Sequence, residues 1–131
     1  MKISYEMMTP KERRFQVFLA VSNHLLEQRQ KSFDGKFCRF RDDQGRSCAV
    51  GCLISDKNYD ESLEGAFLDL DGDLTRALIA SGVDIDVDML QMLQCLQNIH
   101  DQRSSFLWRE DLLRMSRDFK FTDENGKVSL R

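Results

Sequence analysis

The chain has one proline and seven glycines in 131 residues, too few for a Pro-rich linker, a collagen-like repeat or a low-complexity tract. No apolar run reaches the eighteen or so residues of a membrane span. The opening "MKISYEMMTPKERR" holds no apolar stretch long enough for a secretory leader. Together these absences predict a cytoplasmic protein that does not associate with membranes. In a reducing cytoplasm the four cysteines are expected as thiols or metal ligands, not as disulfides.

What is present is ample apolar and charged material. Apolar residues make up 41% and charged residues 31%, a balance that excludes disorder over most of the chain. The length suits one domain spanning residues 1–131. The net charge of −3 hides an asymmetry. From Lys11 to Lys57 ten Lys and Arg face six acids, a balance of +4; from Asn58 to Asp101 one arginine faces ten acids, a balance of −9. The acidic middle and the mixed basic flanks lack the positive block that grips a phosphate backbone. A protein partner is therefore expected rather than nucleic acid.

Periodicity points to about four helices. Thr9, Pro10 and Glu12 form a capping-box signature ahead of a stripe built from Phe15, Phe18, Leu19, Leu25 and Leu26, giving a helix over about residues 10–30. "GDLTRALIASG" reads as a helix capped by Asp73 and stopped by Gly82. In "DVDMLQMLQCLQNIHDQ", Met89, Leu90, Leu93, Leu96 and Ile99 recur at helical spacing, and Cys95 is expected among them in the core. "SSFLWREDLLRMSRDF" adds a helix capped by Ser104 or Ser105, antiparallel to the one before it.

Between the first two helices, "GKFCRFRDDQGRSCAV" alternates around a turn-forming "DDQG" and predicts a short β-hairpin whose second arm runs into a short helix. A single helical turn is expected near residues 60–64, ended by Gly65. A second hairpin, or a frayed tail, is expected around Asn125–Gly126 within residues 119–131. The fold class read from the sequence is thus α+β: a mainly helical single domain with a small antiparallel sheet.

Three of the four cysteines fall between residues 38 and 52. Cys48 and Cys52 are one helical turn apart, so with Cys38 and His100 they supply four candidate ligands for a tetrahedral ion, and zinc is the cofactor this set admits. The same spacing is equally that of packed thiols. A catalytic alternative places Cys48 at a helix N-terminus as nucleophile, His100 as base and Asp101 as the group orienting the ring, in a hydrolase or transferase. The flanking residues lack the context of papain-like proteases. His24, inside the first helix, is read as structural. Acids alternating in "DLDGDL" and "DIDVDML" do not make calcium loops, because the sixth and twelfth positions hold Leu74 and Ala80, or Met89 and Cys95. Arg39, Arg41 and Arg46 form a cluster that suits an acidic partner or phosphate, or else an intramolecular match to the acidic middle segment.

The stretch "CRFRDDQGRSCAVGCLISDKNYDESLEG", with "LQCLQNIHD" and the Trp108 segment downstream, resembles a group of small uncharacterised bacterial and bacteriophage proteins. The likeness spans about residues 9–117, and the string "CAVGCLI" is its specific part. It implies that Cys38, Cys48, Cys52, His100 and Asp101 define the type, together with Tyr59, Glu64 and Gly65 in the acidic loop. No activity follows from it. With no complete catalytic or cofactor motif, the expected function is that of a small interaction or regulatory protein of phage- or prophage-encoded type. Such a protein would bind a host or phage macromolecule through Arg39, Arg41, Arg46, Tyr59 and Glu64.

Overall fold

A computed structural model describes residues 7–121 and Leu130. Four α-helices form among them: α1 (Pro10–Gln28), α2 (Asp73–Ala80), α3 (Val87–Gln102) and α4 (Trp108–Asp118). Helix α1 starts where its capping box demands, with Thr9 Oγ1 accepting from the Glu12 N–H and the Glu12 carboxylate accepting from the Thr9 N–H. Asp86 caps α3 by accepting from the Met89 N–H. Asp73 is the first residue of α2 rather than its cap; Gly72 holds that position. Ser104 leads into a 3-10 turn, Ser105–Leu107, that runs directly into α4.

Helices α1, α3 and α4 pack mutually. Their apolar faces meet through Phe18, Val21 and Leu25 of α1, Met92, Leu93 and Leu96 of α3, and Trp108 and Leu112 of α4, all fully enclosed. Leu74 and Leu78 of α2, with Ala49 and Val50 from the long segment between α1 and α2, complete the core. None of the helices among the described residues is long and apolar enough to cross a membrane.

The segment between α1 and α2 overturns the α+β expectation. Among the described residues there is no strand and no sheet; only isolated bridges occur, Phe33 with Cys38 and Arg41 with Ser47. The reason lies in two carboxylates. Asp42 accepts from the N–H groups of Phe33, Gln44 and Arg46, and Glu64 accepts from those of Phe40 and Arg41. Donors that a ladder needs are thus taken by side chains, and the hairpin shrinks to one bridge across the Asp42–Arg46 turn. Three 3-10 turns follow, Gly51–Leu53, Asp56–Asn58 and Glu61–Leu63, the last ending ahead of Gly65 at φ +83°. The helix expected after Ser47 is only the first of these turns. The hairpin expected at Asn125–Gly126 lies outside the described residues. Cys95, expected in the core, is exposed.

Candidate functional site

The site grows from the C-terminal end of α3. His100 is fully enclosed, with its ring stacked on Trp108 at 5.5 Å between centroids. The Trp108 indole N–H is itself shared between the carbonyls of Ile99 and Arg103, so the first residue of α4 clamps the last turn of α3. The N–H of Ser32, in the loop leaving α1, donates to His100 Nε2 at 3.0 Å. A main-chain N–H can only donate, so Nε2 accepts and the ring proton resides on Nδ1, where it is donated to Asp101 Oδ1 at 2.7 Å. The imidazole is neutral and both of its nitrogens are engaged.

Asp101 Oδ1 also accepts from the Gln97 side-chain amide at 2.8 Å, and the Gln97 carbonyl accepts from the Val50 N–H. Burial opposes ionisation of Asp101, but donation from His100 and Gln97 outweighs it and holds the carboxyl below the ordinary range. Cys38 completes the group: one candidate ligand atom each from Cys38, His100 and Asp101 lies within 4.8 Å of the others. Burial, and then the neighbouring Asp101 carboxylate, push the Cys38 thiol up to about 11.

Cys48 and Cys52 stand outside this group. Cys48 is fully enclosed and its sulfur accepts from the Gly51 N–H; burial pushes its thiol strongly upward. Cys52 donates to the Ala49 carbonyl, and burial pushes it up to about 12. The structure therefore brings Cys38 to His100 and Asp101, where the sequence-based catalytic set has Cys48. It also divides the four candidate zinc ligands into Cys38 with His100 on one hand and the Cys48–Cys52 turn on the other. A cation on the Nδ1 side would have to expel the ring proton, and the replacement proton on Nε2 would oppose the Ser32 N–H.

The arginine cluster is engaged within the fold. Arg39 pairs with Glu61 and Glu64, and its Nε donates to the Arg41 carbonyl. Arg41 bonds Asp56 and the Ile54 carbonyl and lies 4.5 Å over the Tyr59 ring. Arg46 pairs with Asp42 and donates to Gln30. Tyr59 donates to Glu64 at 2.6 Å. Of the three arginines, only Arg39 meets the acidic middle segment, through Glu61 and Glu64; Asp56 and Asp42, the partners of Arg41 and Arg46, lie outside it. Arg41 and Arg46 line one pocket with His24, whereas Arg39 faces another; His24 itself bonds the Ser47 carbonyl.

That other pocket, of about 280 Å³, is lined by Cys38 and Asp101, by Gln94 and Gln97 of α3 and by the loop Glu64–Leu68. Phe67 lines it while remaining 86% exposed. Sequence reading overlooked Gln94, Gln97, Ser32 and Phe67. The Gln97–Asp101 spacing of four on α3 was an available signal; nothing local marks Ser32, whose role is a main-chain contact, or Phe67. The chain matches no family model, no curated protein and no solved structure.

Proposed function

We propose that this chain is a cytoplasmic interaction protein, of bacterial or bacteriophage type, that binds a protein partner at the pocket between the Cys38–Phe40 loop, the Glu64–Leu68 loop and α3. The observation that carries this reading is Phe67. A phenylalanine left 86% exposed on the lip of a pocket is the kind of aromatic anchor that interfaces bury. Two rigid features hold the loops on either side of it: Glu64 ties its own loop to the main chain of Phe40 and Arg41, and α3 forms the back wall. Two observations favour binding over thiol catalysis. All three thiols of the central segment are shifted upward, away from the thiolate that attacks, and the one nearby imidazole has both nitrogens engaged. Four free thiols accord with a reducing compartment.

The test compares capture of bacterial or phage-infected lysate proteins by the native chain and by Phe67→Asp, which leaves the core untouched. A partner retained by the first and lost by the second supports the reading. Identical capture profiles overturn it.

A further inference from the structure

Resting on that reading, we propose that the pocket takes a cationic side chain, lysine or arginine, from the partner, with the Asp101 carboxylate as its counter-ion. The carboxylate in the pocket lining is incompletely used. Its two strong donors, His100 and Gln97, both land on Oδ1. Among the described residues the remaining neighbour is the Cys38 thiol, a weak donor, so Oδ2 is left to the thiol or to solvent. The side chain is 29% exposed, enough to be reached from the pocket.

Among the described residues no Lys or Arg side chain pairs with it. His100 is neutral by its hydrogen bonds. The Lys31 ammonium donates to the Asp101 main-chain carbonyl instead of the carboxylate. Arg39, the one basic residue among the described residues that line the pocket, is held by Glu61, Glu64 and the Arg41 carbonyl. A half-buried carboxylate that no Lys or Arg side chain among the described residues pairs with is open to an incoming ammonium or guanidinium. The walls suit the rest of such a side chain, since Leu68 and Phe67 offer apolar surface to its methylene stem. Acids outnumber bases ten to one between Asn58 and Asp101, so the surrounding field draws the same sign of charge.

The experiment titrates the full chain, by ¹H–¹⁵N NMR, with the N-acetyl N-methylamides of lysine, arginine and norleucine. The expected result is saturable shifts at the Gln94 and Gln97 side-chain amides and at the backbone of residues 65–68. Binding of norleucine should be at least about tenfold weaker, and the preference for charge should fall with added salt. Asp101→Asn, which keeps an acceptor for His100 Nδ1–H, should make lysine and norleucine equivalent. If that variant does not fold, the lysine-to-norleucine ratio and its salt dependence in the native chain decide. Equal binding of lysine and norleucine overturns the inference, as does Zn²⁺ alone occupying the pocket and excluding the lysine probe. If Phe67→Asp abolishes partner capture while the cationic probes fail to bind, the interaction reading stands and the cationic pocket falls. Cationic binding without any Phe67-dependent capture leaves the pocket and removes the reading.

Discussion

Ser32 and His100 lie 68 residues apart, yet the main-chain N–H of the first donates to Nε2 of the second in the enclosed centre of the molecule. That one bond fixes the tautomer of the ring, turns its Nδ1 proton toward Asp101 and anchors the loop leaving α1 to the end of α3. Its consequences are measurable.

His100→Ala removes the acceptor for Ser32, the donor to Asp101 and the stacking partner of Trp108 at once. A cavity plus an unsatisfied buried N–H is expected to lower unfolding free energy by about 3 to 4 kcal/mol. His100→Gln, which can restore an acceptor, should recover part of that loss. Urea titration followed by Trp108 fluorescence measures both.

Thiol labelling should follow a fixed order. Cys95, exposed on α3, is expected to react first with iodoacetamide, Cys38 only as pH approaches about 11, and enclosed Cys48 only on unfolding. Burial is the first cause of the Cys38 shift and the Asp101 charge the second, so Asp101→Asn should move the Cys38 profile to lower pH without restoring an ordinary thiol. Peptide mass mapping across pH reads this directly. Rapid labelling of Cys48 in the native protein at pH 7, abolished by His100→Ala, would contradict the arrangement.

Gly51 is the glycine of the "CAVGCLI" string, and its role is spatial. A Cβ there would overlap the carbonyl of Phe40, which is main chain and has little room to yield. Gly51→Ala is expected to destabilise by about 2 kcal/mol or more and to loosen the Phe40–Cys48 contact. Thermal unfolding checks the first effect, and hydrogen exchange at the Cys48 amide checks the second.

Asp42 supplies an acid-sensitive element. Burial raises its carboxyl, but the N–H groups of Arg46, Phe33 and Gln44 and the Arg46 guanidinium outweigh burial and hold it below the ordinary 3.8. Because the folded value is the lower one, the stabilisation is fully present above the unfolded value of roughly 3.9 and is lost as pH falls through the folded value. Stability should therefore decline below about pH 4. Asp42→Asn should be less stable at pH 7 and show a shallower decline on acidification, measured by denaturant midpoints from pH 7 to pH 2.

The helices were legible in the sequence because their signals are local. Thr9, Pro10 and Glu12 act within one turn, and apolar spacing along α1 and α3 needs no knowledge of what packs against it. The alternation around "DDQG" is equally local, but it was misleading. A ladder requires free N–H groups on both arms, and carboxylates at Asp42 and Glu64 claim them, the second from more than twenty residues away.

The candidate site divides along the same line. Sequence by itself marked Cys38, Cys48, Cys52, His100 and Asp101 as the candidate chemistry-bearing residues, and left open whether Arg39, Arg41 and Arg46 meet a partner or the acidic middle segment. Only the tertiary structure decided which cysteine joins the imidazole, that Arg39, Arg41 and Arg46 are engaged internally, and that a pocket opens beside Phe67. The physical reason is range. Propensity and periodicity act over a few residues, whereas the tautomer of His100, the burial of Cys48 and the surroundings of Asp101 are properties of the space enclosed when segments distant along the chain close on one another.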